Sequence, residues 1–313
     1  MLIDMHTHAG RPGRTGPLDL SVLDTMRPAG VMAAAVAAIA DLPVIRRDPA
    51  TRRLSQFREP EPGECLAAVD AYLTDIEQSG VRIAREPSDI RDSDPSVVMA
   101  IEGCDFLEND LDRLDSMARR GVRSVQLTHY RVNETGDIQT APPVHGGLTD
   151  FGAHAVRRMN QLGIMVDAAH CTEDTVRGML NHTVHPILCT HANLAEPGHP
   201  DGNHPRYISL DYARMVAETG GVVGGWIAVL YQEKLPGMIR HILRLIDAIG
   251  IDHVGIGTDL PSGGDRHGMA DFSQHAQIPL LLRDRGLNGD EIQKVCAANW
   301  LRVFQTVRPK GQA

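Results

Sequence analysis

Eight short runs of consecutive apolar residues recur along the 313-residue chain: Leu2–Met5, Val31–Ile39, Val97–Ile101, Ser124–Leu127, Ile164–Ala168, Pro186–Cys189, Gly221–Gly224 and Val254–Gly257. Runs that are apolar on consecutive positions, rather than alternating ones, suit the strands of a parallel sheet covered on both faces. Segments with helical spacing lie between them. Leu107–Arg119 ends before Gly121 and Asp150–Gln161 before Gly163, and each glycine is a natural helix stop. Eight parallel strands joined by right-handed helical crossovers close most naturally into a (β/α)8 TIM barrel of the α/β class. An open, doubly wound sheet is the competing arrangement, but no Gly-x-Gly-x-x-Gly follows the first strand. The length suits a single barrel domain over residues 1–313 with extra loops.

Two stretches break the alternation. Asp41–Pro62, rich in Pro and Arg, reads as a long loop after strand two, and Ala195–Pro205, rich in Pro, Gly and His, as another after strand six. Loops of that length inside a compact domain are usually functional. Helical segments at Glu64–Ser79 and Ser273–Val307 are expected to add an outer helix and a C-terminal helical cap.

A net charge of -9 removes the electrostatic attraction to phosphates on which nucleic-acid binders rely. The opening Met1-Leu2-Ile3-Asp4 reads as a strand rather than a secretory leader, and Val31 to Ala40 is too short to span a bilayer. Five single cysteines without a Cys-x-x-Cys pair fit a reducing compartment. These features point to a cytoplasmic protein with neither nucleic acid nor membrane as partner, and they leave homo-oligomerisation open.

The 15 histidines are more telling, because several follow directly on strands. Residues two apart on a strand point the same way, so His6 and His8 of Asp4-Met5-His6-Thr7-His8 can offer ring nitrogens to one ion; a polar strand end is the plain alternative. Glu102 closes Val98-Met99-Ala100-Ile101. A carboxylate emerging from so apolar a strand needs a cation or a hydrogen-bond partner, and it could bridge two metals, although a helix cap or a salt bridge would also satisfy it. His170 and His191 end strands five and six, side by side at the barrel mouth, and Asp259 ends strand eight, beside strand one. Six metal-competent side chains at five strand ends exceed what incidental polar strand ends supply. His154, His182, His241 and His275, in helical or loop contexts, read as solvated.

With these residues in view, the chain resembles the membrane dipeptidase (renal dipeptidase) family of the amidohydrolase superfamily. The likeness runs over nearly the whole chain. It is densest in Ala100-Ile101-Glu102-Gly103, Gly121-Val122-Arg123 to Leu127-Thr128-His129, Gly147-Leu148-Thr149-Asp150-Phe151-Gly152, Met159-Asn160-Gln161-Leu162-Gly163, the run Asp252 to Asp259, and Asn299-Trp300-Leu301-Arg302-Val303-Phe304. The resemblance implies two divalent ions, zinc in kind: one on His6, His8 and Asp259, the other on His170 and His191, with Glu102 bridging. It further implies that Asp259 transfers the proton, that His129 stands near the scissile carbonyl and stabilises the oxyanion, and that Arg206 takes the substrate's terminal carboxylate. On their own, His129 and Arg206 read as polar loop positions.

The family pattern at strand one is His-x-Asp, whereas this chain has His6-Thr7-His8. A neutral imidazole in place of a carboxylate leaves the metal pair with more net positive charge. The expected activity is hydrolysis of a small dipeptide or similar amide with a free carboxylate. The competing readings are an amidohydrolase of another specificity, such as an acyl-amino-acid deacylase or a lactonase, and a catalytically silent barrel that acts as a binding protein.

Overall fold

In a computed structural model, described over residues 1–9, 18–50, 53–92, 94–198, 204–227, 234–261 and 269–308, the eight apolar runs form eight parallel strands. They are β1 (Leu2–Thr7), β2 (Val31–Ile39), β3 (Ser96–Glu102), β4 (Val122–Gln126), β5 (Met165–Asp167), β6 (Leu188–Ala192), β7 (Val222–Gly225) and β8 (Val254–Ile256). Each pairs with its sequence neighbour. The chain just beyond β8 closes the ring on β1: Thr7 bridges Leu260 in parallel, the Asp259 amide donates to the His6 carbonyl (2.9 Å), and the His8 amide donates to that of Leu260 (2.5 Å). A closed barrel therefore replaces the open-sheet alternative.

β2 shows why consecutive apolar residues are required. Its Ala33, Ala35 and Ala37 point into the barrel, while Ala34, Val36 and Ala38 join the layer under the outer helices. A side chain on either face meets protein, so polar alternation has no place. The inward residues Ile3, Met5, Val98, Met165, Leu188 and Val222 form one cluster with Trp300, Val303, Phe304 and Val307 of the last helix, Asn299–Val307. Most of these strand residues lie near the N-terminal ends of their strands. The C-terminal helix is thus the expected cap, and it seals the end of the barrel opposite the ligand-bearing strand ends.

Two glycines bring strands closer than any side chain would permit. A Cβ on Gly224 would stand 2.0 Å from the Thr190 carbonyl oxygen, and one on Gly257 would stand 1.7 Å from the same atom. The close approach draws β6 in toward β7 and β8, and the His6 and His191 ring centroids come within 4.1 Å of each other.

Several boundaries differ from the sequence reading. Asp41–Pro62 is not wholly loop: Ile45–Arg47 and Leu54–Gln56 pair as a short antiparallel hairpin. The helix expected from Leu107 begins at Asp112, preceded by a 3-10 turn at Cys104–Leu107. Strand six runs from Leu188 to Ala192, so His191 lies within the strand. The segment 273–307 is a succession of short helices rather than one. Part of Ala195–Pro205 lies outside the described residues. Among the described residues, no helix is long and apolar enough to cross a membrane.

Trp300 is 2% exposed, and its indole nitrogen has no hydrogen-bond partner, so its contribution is packing. Trp300→Ala should lower unfolding stability by about 3–5 kcal/mol, the usual cost of emptying an aromatic site. Trp300→Phe, which also removes an unsatisfied donor, should cost much less. Denaturant midpoints measure both, and equal losses would contradict a packing role.

Candidate metal centre

β1 delivers His6 and His8 to the same side of the sheet, both buried. The Ala37 carbonyl, 2.8 Å from His8 Nδ1, takes the ring proton there and turns Nε2 inward. Glu102 is the last residue of β3 and is buried. His170 and Asp259 come three residues after β5 and β8 end, and both adopt left-handed backbone angles, φ 67° and 60°. Such angles in non-glycine residues cost energy and tend to concentrate at functional sites.

These side chains converge on Glu102. Its Oε1 lies 3.5, 3.3 and 3.6 Å from Nε2 of His6, His170 and His191, and its Oε2 lies 3.5 Å from Nε2 of His8. Asp259 Oδ1 is 3.2 Å from His8 Nε2 and 4.0 Å from His6 Nε2, and the Nε2 atoms of His170 and His191 are 3.0 Å apart. Donors on a tetrahedral zinc ion, at bond lengths of 2.0–2.1 Å, sit about 3.3 Å from one another. His6, His8 and Asp259 form one set compatible with an ion; His6, Glu102 and His191 form another, and Glu102, His129 and His170 a third.

The polar bookkeeping fits a cation. His6 Nε2 and Glu102 Oε2 are buried with no hydrogen-bond partner, a situation native proteins rarely leave uncorrected. Burial holds His170 and His191 well below the ordinary histidine range, helped by nearby cationic groups, and it lowers His6 as well. These rings are therefore neutral, the form that binds metal. At His8 burial also opposes charge, but the bond to Asp259 and the nearness of Glu102 outweigh it, and the pKa rises. A proton and a cation compete for that nitrogen.

A second layer holds the ligands in place. Asp167 accepts from Thr190 Oγ1 (2.5 Å) and from the amides of Thr190 and Ala169 (3.0 Å each), and Thr190 Oγ1 lies 3.1 Å from His191 Nδ1 and 3.3 Å from His6 Nδ1. Asp4 accepts from the His6 amide, the Thr258 amide and hydroxyl, and His275 Nε2 at 2.8 Å. Outer carboxylates of this kind orient metal-binding imidazoles.

His129 is buried just past β4, its Nε2 3.4 Å from Glu102 Oε2. Its Nδ1 is 2.7 Å from Asp41 Oδ1, while Asp41 Oδ2 accepts the Tyr130 amide at 2.9 Å. Burial disfavours a charged ring, but Asp41 and Glu102 prevail and raise its pKa to about 9. Arg206 is buried as well: Nη1 donates to Gln139 Oε1 (2.5 Å), Nη2 to the His191 carbonyl (3.4 Å), and Nε has no partner. Its guanidinium lies 5.3 Å from the Trp226 ring centroid.

The structure thus gathers the other five sequence-assigned ligands and His129 about the carboxylate of Glu102, with Arg206 joined through the His191 carbonyl. Asp41, Asp167, Thr190 and Trp226 escaped the sequence reading. Asp41 falls in the expected loop 41–62, and its position directly after an apolar strand is the one local signal that marks it. Two histidines read as solvated are buried: His275 on Asp4 and His241 on the helix Lys234–Ile249. His154 is exposed, and His182 is half-buried against Arg157.

Comparison with known proteins bears on the family and the fold. The profile of the membrane dipeptidase family (peptidase family M19) matches residues 64–312. Dipeptidase aclJ of Aspergillus oryzae is 31% identical over 225 residues, 68% of this chain and 51% of that protein. Dipeptidase tcpJ of Claviceps purpurea is 29% identical over 218 residues, 67% of this chain and 50% of that one. The chain spans about half the length of these two curated relatives. A metallo peptidase from Rhodobacter sphaeroides, liganded with a phosphinate mimic of the dipeptide L-Ala-D-Ala, superposes with a TM-score of 0.75 at 22% identity over 98% of this chain and 99% of that one.

The Asp41–His129 pair has a pH signature. A histidine raised from 6.5 to about 9 contributes stability that is fully present below pH 6.5 and is lost as pH rises through about 9. Melting of the metal-free protein from about pH 6 to 10 should show that loss, and Asp41→Asn should flatten it. An unchanged pH dependence in the variant would remove Asp41 as the cause.

Proposed function

The chain belongs to the membrane dipeptidase family, and we propose that it is a dipeptidase that works with two divalent metal ions and cleaves small dipeptides bearing a free C-terminal carboxylate. The observation that supports this reading is the convergence of imidazoles on Glu102, whose Oε1 lies near Nε2 of His6, His170 and His191 and whose Oε2 lies near that of His8; in this reading His6, His8 and Asp259 form one donor set, His170 and His191 the other, and both share the carboxylate. Imidazole and carboxylate donors at these separations favour zinc. When bound, such ions polarise a carbonyl and make water nucleophilic at neutral pH.

The remaining work falls to the chain's own residues. Asp259 takes a proton from the attacking water and passes it to the leaving amine as the peptide C–N bond breaks and the new C–O bond forms. His129, held protonated by Asp41, donates from Nε2 toward the oxygen that gains negative charge. Arg206 has its Nη1 committed to Gln139 and one Nη2 hydrogen to the His191 carbonyl, while its Nε is unpartnered, so Nε–H and the second Nη2 hydrogen form the edge offered to a carboxylate. The dipeptide mimic bound by the Rhodobacter sphaeroides relative supports a substrate of that size, with a D-residue allowed on the C-terminal side. Five buried, unpaired cysteines support a reducing compartment such as the cytoplasm.

Hydrolysis of L-Ala-D-Ala and of its C-terminal amide tests the reading. Lysine cannot reproduce the guanidinium fork. Arg206→Lys should therefore lower kcat/KM for the free dipeptide by about tenfold or more, in line with a charge-assisted bond of roughly 1.5–3 kcal/mol, and leave the poorer amide substrate nearly unchanged. A parent enzyme that hydrolyses both equally would show that no carboxylate is read, and the function would shift to another amidohydrolase specificity.

A further inference from the structure

Trp226 follows directly on the last residue of β7, and it is held on both of its backbone polar atoms. Asn193 Nδ2 donates to the Trp226 carbonyl (3.1 Å), and the Trp226 amide donates back to Asn193 Oδ1 (3.3 Å), with both residues buried. The backbone at Trp226 is therefore fixed from both sides. The indole Nε1 donates to Asp259 Oδ2 at 3.2 Å, while the other oxygen, Oδ1, is the one near His8 and His6. Its ring also carries the Arg206 guanidinium, centred 5.3 Å from the ring centroid. The contrast is Trp300, whose buried N–H has no partner and whose contribution is packing. The N–H of Trp226 does have an acceptor, and it is the carboxylate assigned to the metal centre.

We infer that Trp226 is a positioning residue with two separable duties: its N–H fixes Asp259 so that a single oxygen faces the histidine pair, and its ring sets the plane of Arg206. The first duty is independent of the substrate. The second rests on the dipeptidase reading above. Removing the N–H takes away the bond that orients the Oδ2 of Asp259 and weakens the donor set. Removing the ring in addition frees the guanidinium from its stacking surface and misaligns the edge offered to a carboxylate.

Three versions of position 226 separate these duties: Trp226→Phe, Trp226→Leu, and replacement of the indole by the benzothiophene analogue, which keeps shape and ring but substitutes sulfur for N–H. Zn2+ affinity is measured by competition with a chelating dye, and steady-state kinetics are measured with L-Ala-D-Ala at saturating Zn2+. The Phe and benzothiophene proteins should bind Zn2+ about tenfold more weakly than the parent, with KM within about twofold of it. The Leu protein should show the same Zn2+ loss and a KM raised about fivefold. A benzothiophene protein that binds Zn2+ as tightly as the parent would overturn the first duty, and this arm does not depend on how well the Leu protein folds. An equal KM in the Phe and Leu proteins would overturn the second. A parent that cleaves no dipeptide would end the dipeptidase reading and with it the second duty, while the Zn2+ measurements would still decide the first.

Discussion

Glu102 leaves β3 for a shell of five imidazoles, those of His6, His8, His129, His170 and His191, all within 3.3–3.6 Å of its two oxygens. A buried carboxylate left without compensating charge costs several kcal/mol. The shell compensates only in part: burial opposes charge on His8, Asp259 and Glu102 outweigh it and raise the pKa, but the other rings add little. His170 and His191 are held neutral, and the charge on His129 is already matched by Asp41, which lies closer to it than Glu102 does. Asp259 brings a second carboxylate to the same cluster. The excess of acceptors over cations at the barrel mouth is what makes divalent ions the natural complement of this site.

That arrangement depends on more than the ligand residues themselves. Gly224 and Gly257 let β6 approach its neighbours closely enough for His191 to reach His6, although strands one and six are not paired with each other. Asp4 and Asp167 are buried carboxylates that precede His6 and His170 by two and three residues and bond to the elements beside them. His275, from the segment before the C-terminal helices, completes the partners of Asp4. Asp4 thereby ties β1 to the chain beyond β8, and Asp167 ties β5 to β6, an arrangement that helps keep donors within the narrow tolerance a metal site demands.

Much of this could be read in the residues themselves. Consecutive apolar positions such as Val31–Ile39 leave a parallel, doubly covered strand as the simplest solution, and histidines and carboxylates ending several such runs together point to ligation. What stayed hidden depends on pairs remote in sequence. Asp41 meets His129 across 88 positions and Trp226 meets Asp259 across 33, and nothing local marks either contact. The buried states of His241 and His275 were missed for a related reason, because helical context alone does not reveal which face turns inward. The hairpin inside 41–62 was obscured by its arginines and prolines, since the strands are short and mostly exposed and so carry no apolar signature.

The central claim is that the carboxylate of Glu102 stands between two metal ions. Anomalous diffraction from crystals of the zinc-loaded protein tests it directly. The account requires two peaks about 3.5–4 Å apart, the spacing of two-metal hydrolytic sites, one against His6, His8 and Asp259 and the other against His170 and His191, with a Glu102 oxygen on each. A single peak, or ions that leave Glu102 without a metal contact, would contradict it.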